Sequence, residues 1–174
     1  MISAYLRLYL KLFLLRIGPQ DIPHSRSLVW LTLVLVLGLS LIEDALVLAP
    51  MQNLAINLFN LGFFVLFLYC CLRLSGKSAR FPQTLAAACG VGILFCLLEL
   101  PPYWLLVSEK LPDIGMVTTL AIVYFRLLLV YNIIVLGHIF RHALSTSMLF
   151  GFLVTLAYLV LNLLIINAVF PVKN

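Results

Sequence analysis

Charge is what this sequence has least of. Of its 174 residues, 10% are Asp, Glu, Lys or Arg, whereas 64% are apolar, and the mean hydropathy is +1.19. A soluble domain is about one quarter charged, so a soluble fold of this length would lack the polar residues to cover its surface. That excludes a water-soluble protein and leaves an integral membrane protein. The catalytic signatures are missing too: there is no His-Glu-x-x-His, no Gly-x-Ser-x-Gly and no Gly-rich phosphate loop. No repeat or low-complexity tail occurs. The four cysteines, Cys70, Cys71, Cys89 and Cys96, have no metal-ligand spacing with any histidine and read as small apolar packers. His138 and His142 share a helical face, but two ligands make no metal site, and with Arg141 they read as a basic rim. The composition therefore predicts no enzyme, no metal and no cofactor.

What is present is a series of apolar runs, each near the 20 residues needed to cross a bilayer. Charges and turn residues divide them into five spans at about 28–49, 51–74, 84–107, 116–140 and 145–170. The expected fold is an all-α polytopic transmembrane bundle forming a single membrane domain. Residues 1–17 are too short to span and are interrupted by Arg7, Lys11 and Arg16. With Ser3, Arg7, Lys11 and Gly18 on one face and Leu6, Leu10, Phe13 and Ile17 on the other, they predict an amphipathic interfacial helix. Because the charges fall within the apolar stretch, a cleaved signal peptide is not expected. Residues 18–27 form the turn into the first span.

Lys and Arg placement predicts orientation. Arg7, Lys11, Arg16 and Arg26 precede span one, Arg73, Lys77 and Arg80 join spans two and three, and Arg141 joins spans four and five. Glu43, Asp44, Glu109, Lys110, Asp113 and Lys173 fall on the other side. The N-terminus is thus expected in the cytoplasm and the C-terminus outside, with the lipid bilayer as the first partner. Trp30, Tyr103 and Trp104 fall at span ends, where amphipathic rings favour headgroup depth. The net charge of +5 is accounted for by topology and attraction to anionic lipid, and implies no nucleic acid.

The most informative residues are those that do not belong in hydrocarbon. Glu99 in span three and Arg126 in span four are expected at similar depth, Glu99 roughly 6 Å above the midplane by a rise of 1.5 Å per residue. An ion pair between them would offset the cost of an isolated intramembrane charge, about 2.5–3.5 kcal/mol. Glu43, Asn57, Asn60 and Asn162 join them in one outer-half polar cluster, with Asn53 on the same face of span two and Asn132 deeper in span four. Such a cluster either fixes helix register or lines a cavity open to the outside. Pro101 and Pro102 remove two amide donors and leave the carbonyls of Leu97 and Leu98 to Arg126 or water; the simpler expectation is that they end the helix beside Tyr103. Ala86, Ala88, Gly90 and Gly92 form small faces suited to close helix packing, within the chain or between copies.

The turn Gly18-Pro19-Gln20-Asp21-Ile22-Pro23-His24-Ser25, following a short basic lead-in, resembles that of a group of small proteobacterial inner-membrane proteins. The layout is more distantly similar to the Yip1-type five-span membrane proteins. The Yip1 resemblance implies an interaction or membrane-organising protein; the missing catalytic motifs and the short loops lead to the expectation of an assembly component of the bacterial inner membrane that meets another membrane protein or itself. The Asp-Leu-Tyr-Gly-Pro-type motif of that second group is absent; only Gly18-Pro19 and Asp21 occur, in a different order. The residues alone give Asp21 a turn-capping role or a pairing with Arg16 or Arg26. The alternative function is a small-solute or ion transporter that uses the cluster around Glu99 and Arg126.

Overall fold

A computed structural model describes residues 2–45, 49–108 and 115–170. The loop charges Glu109, Lys110 and Asp113, the terminal Lys173 and the side chains of Ser3 and Trp104 lie outside what is described. The described residues are all-helical: α1 Ile2–Phe13, α2 Arg26–Asp44, α3 Pro50–Leu74, α4 Phe81–Ser108, α5 Met116–Leu144 and α6 Met148–Val169, with single 3-10 turns at Pro19–Asp21 and Ser78–Arg80. Helices α2 to α6 are each long and apolar enough to cross a membrane, which marks the chain as an integral membrane protein.

Local chemistry sets the helix ends a few residues from those expected. Ser25 caps α2 through the amide of Leu28 at 3.4 Å, and Ser147 caps α6 through that of Phe150 at 3.3 Å, so α6 begins at Met148 rather than 145. Helix α2 ends at Asp44, short of 49, and Pro50 occupies the first turn of α3, where its missing amide is no loss. Ser145 adopts the left-handed conformation that closes α5. The prolines of α4 do not end it; the helix continues through Pro101 and Pro102 to Ser108.

Helix α4 is the centre of the bundle. Half of its apolar stretch is buried, against 11–17% for the other four spans. The cause is side-chain size: from Thr84 to Val91 it presents mainly Thr, Ala, Cys and Gly, which let α1, α2 and α5 approach its backbone. Gly92 abuts Val36 of α2, and the ring of Tyr9 from α1 lies directly on Gly90. Ala86 and Ala88 are buried in the same core as Tyr9 and Leu12. The small face thus packs within the chain. A second close crossing joins α5 to α6, where a Cβ on Gly151 would overlap the carbonyl oxygen of Gly137.

The N-terminal segment is tied into this core. Tyr9 and Leu12 form the buried side of α1, while Leu6 and Leu10, expected on its apolar face, are exposed. The reason is that Gly90 accepts an aromatic ring, which turns the helix toward Tyr9. Burial pushes the phenol of Tyr9 up to about 12, so it stays neutral. Leu15, at φ 59°, closes α1 in a conformation that costs a non-glycine residue about 1–2 kcal/mol. Three side chains hold carbonyls on either side of it. The Tyr131 hydroxyl donates to Phe13 at 2.6 Å, His138 Nε2 to Ile17 at 2.9 Å and Gln83 to Ile22 at 3.1 Å. A carbonyl only accepts, so Nε2 carries the proton. His138 is therefore a buried anchor rather than a rim residue. Asp21 caps the turn, accepting the Gly18 amide at 2.9 Å.

Candidate functional site: the polar groups of the bundle

The structure divides the expected polar cluster into three contacts and one separate residue. At the end of the bundle where α2 stops, the carboxyls of Glu43 and Glu99 lie within hydrogen-bonding reach of each other, with Cys96 beside them. Asn57 donates to Asp44 at 2.8 Å and to the side-chain oxygen of Asn53 at 2.7 Å, while Asn53 donates to the carbonyl of Leu41 at 2.9 Å. These bonds fasten the end of α2 to α3. Asn162 donates to Asn60 at 3.1 Å and joins α6 to α3. The cluster thus comes together in pairs, each linking two helices.

Arg126 joins none of them, and the expected Glu99–Arg126 ion pair does not form. Depth does not separate them: Glu99 lies four to five residues, about 7 Å, outward of the midpoint of α4, and Arg126 four residues, about 6 Å, outward of that of α5. Direction does. Ala121, Leu128 and Val135 form the buried side of α5, and Arg126 projects about 200° around the helix from Leu128. Arg126 is exposed on the outside of the bundle, beside exposed Leu127, Leu129 and Val130, and has no hydrogen-bond or ion-pair partner among the described residues. The carbonyl of Leu98, released by Pro102, is taken instead by Tyr124, whose hydroxyl donates at 3.0 Å. Tyr124 could have been identified from sequence, two residues from Arg126 and on a helix facing the prolines.

A cavity of about 350 Å³ lies among the five spans, lined by residues of each of α2 to α6. Ser40, Asn57, Asn60, Asn132 and Tyr158 supply its polar lining among apolar neighbours such as Phe64 and Phe95. Ser40 also meets Cys96, Oγ to Sγ 3.7 Å, on the way to Glu43. Of the expected cluster, only Asn57 and Asn60 line this space.

The basic residues come to the opposite end. Lys77 donates to the carbonyl of Leu144, and Arg80 Nη1 donates to the carbonyls of His142 and Ala143, both at 3.2 Å, and to Ser145 Oγ at 2.7 Å. Two cations thus cap the C-terminus of α5, where carbonyls lack helical partners and the helix dipole is negative. Arg73 donates to Tyr69 at 2.9 Å and lies over its ring. Arg7, Lys11, Arg16, Arg26 and Arg141 are exposed. Cys89 is buried and Cys70 exposed, both as free thiols. No protein-family model, curated protein or solved structure matches the chain.

Proposed function

We propose that this chain is a non-catalytic membrane protein that acts as an interaction or assembly component, binding another membrane protein or a second copy of itself inside the bilayer. Arg126 is the observation that carries the reading. Intramembrane charges almost always face a bundle interior or a partner; this one faces outward from α5 with nothing of its own chain to meet it among the described residues. A membrane-embedded helix carrying a carboxylate is the complement it requires. The four sparsely buried spans leave wide apolar faces around it for such a helix to cover.

On the same reading the N-terminus is cytoplasmic and the C-terminus outside, in a bacterial inner membrane, as the resemblance drawn from the Gly18–Ser25 turn implies. The gathering of Lys77, Arg80 and Arg141 around one end of α5 supports this orientation. Helix α1 serves as the interfacial element of that side, with Arg7 and Lys11 turned away from Tyr9 and Leu12. Nucleic acid is no part of this function.

The test is purification of the chain in native lipid particles with quantitative mass spectrometry of everything retained. A stoichiometric protein partner, or a defined homo-oligomer, is expected, and Arg126→Leu is expected to lose it while remaining folded. A homogeneous monomer that retains no protein would overturn the reading. A second reading, small-solute or ion passage, is favoured by the cavity that reaches from Asn132 to Ser40. It requires Glu99→Gln to abolish flux in liposomes while the protein stays folded.

A further inference from the structure

We infer that the basic end of the bundle carries a binding site for a phosphate group borne on a small molecule or lipid headgroup. A cavity of about 440 Å³ opens there between the Pro19–Asp21 turn, the start of α4 and the corner joining α5 to α6. Arg80, Gln83, Arg141, His142 and Thr146 line it, and no Asp or Glu does. The volume is that of a small-ligand site, about 300–1,000 Å³, and so leaves room for whatever bears the phosphate.

The donors are both positioned and unused. Arg80 is held through Nη1 by the carbonyls of His142 and Ala143 and by Ser145 Oγ, while its Nε and Nη2 donate to no described residue. A guanidinium fixed on one edge offers its other edge as a planar fork, the geometry that suits phosphate oxygens. Arg141 makes no side-chain hydrogen bond with the described residues and is exposed. The Thr146 hydroxyl is buried with no partner, a position that native proteins rarely leave unfilled. Charge points the same way. The C-terminus of α5 contributes about half a negative charge, less than Lys77 and Arg80 together bring to it, and Arg141 adds a further cation. The nearest acid, Asp21, is engaged with the Gly18 amide and does not line the cavity. The site stands at the other end of α5 from Arg126, so either can fail without the other.

The experiment uses the full chain in phosphatidylcholine nanodiscs, titrated with inorganic phosphate at constant ionic strength. Saturable binding is expected, about tenfold weaker in Arg141→Gln and near wild type in Arg141→Lys; this result assigns the site to a soluble phosphate compound. If phosphate does not bind, native mass spectrometry of the chain from mixed phosphatidylcholine and phosphatidylglycerol discs decides. Retention of the anionic lipid by wild type and its release by Arg141→Gln assigns the site to a headgroup. Thr146→Val, which changes no charge, is expected to weaken the same ligand by a smaller factor. Absence of both ligands, or equal binding by wild type, Arg141→Gln and Thr146→Val, overturns the inference.

Discussion

Glu99 and Arg126 sit on adjacent, antiparallel helices and carry opposite charges, yet the fold turns one in and the other out. Glu99 projects into the seam with α2 and meets Glu43; Arg126 is exposed, on the opposite side of α5 from buried Leu128. The difference follows from the helices that carry them. α4 is small-faced and half buried, so several helices converge on it and a polar group there finds a neighbour. α5 is lined with Leu, Ile and Val and, over the turns that flank Arg126, is buried along one stripe only. A charge on its other side is left for lipid or for a partner. Residue order along a span predicts depth, but which face is packed decides company.

The sharpest way to break this contrast is to remove what makes α4 the centre. Gly90→Leu places a side chain where the ring of Tyr9 lies, and overpacking at such a contact costs about 3 kcal/mol. The purified chain is expected to unfold at lower denaturant or temperature, with α1 released and accessible to protease; unchanged stability would show that the docking of α1 is not held at Gly90. Next comes Arg126→Leu, which removes an uncompensated charge worth about 2.5–3.5 kcal/mol at mid-span. The isolated chain is expected to be at least as stable as wild type in thermal unfolding. A clear loss of stability would mean that Arg126 is satisfied within the chain after all.

The same contrast predicts a smaller, chemically selective effect at Glu99. Glu99→Leu leaves the Glu43 carboxyl without its neighbour, an expected loss of about 1–3 kcal/mol. Glu99→Gln keeps a donor and an acceptor in place and is expected to lose under 1 kcal/mol. Equal losses in the two variants, measured by the same unfolding assay, would assign the site to packing rather than to the hydrogen bond.

Much of this architecture was legible in the sequence, because span length and loop punctuation depend only on hydropathy and local chemistry. Five long apolar helices emerge where five spans were expected, and their ends differ by a few residues, as where Ser147 caps α6 and the αL residue Ser145 closes α5. Small residues at Ala86 to Gly92 marked the packed face of α4, though not that Tyr9 and Val36 would fill it. Pairings were harder to read. Asn60 with Asn162, and Asp44 with Asn57, depend on how each helix rotates about its axis, which is settled by crossings such as Gly137 with Gly151. Lys77 and Arg80 read as surface charge, although their stems reach back to the carbonyls at the end of α5. Helix-end capping by a residue more than 60 positions away leaves no mark on sequence spacing.

The smallest effect tests the link between the two halves of the contrast. Pro102 has no amide to offer the carbonyl of Leu98, and Tyr124, from the helix that carries Arg126, donates its hydroxyl there at 3.0 Å. Tyr124→Phe keeps the ring and removes only the donor. Interhelical hydrogen bonds inside membranes average about 0.6 kcal/mol and reach about 1.7 kcal/mol; because a proline leaves this carbonyl no helical donor, a value near the top of that range, about 1–1.5 kcal/mol, is expected. Adding Pro102→Ala, which restores the backbone donor, is expected to make Tyr124→Phe nearly neutral. A double-mutant cycle in unfolding free energy reads this directly, and coupling near zero would mean that α4 and α5 are held together at this level by packing alone, leaving the rotation that turns Arg126 outward to the stripe of Ala121, Leu128 and Val135.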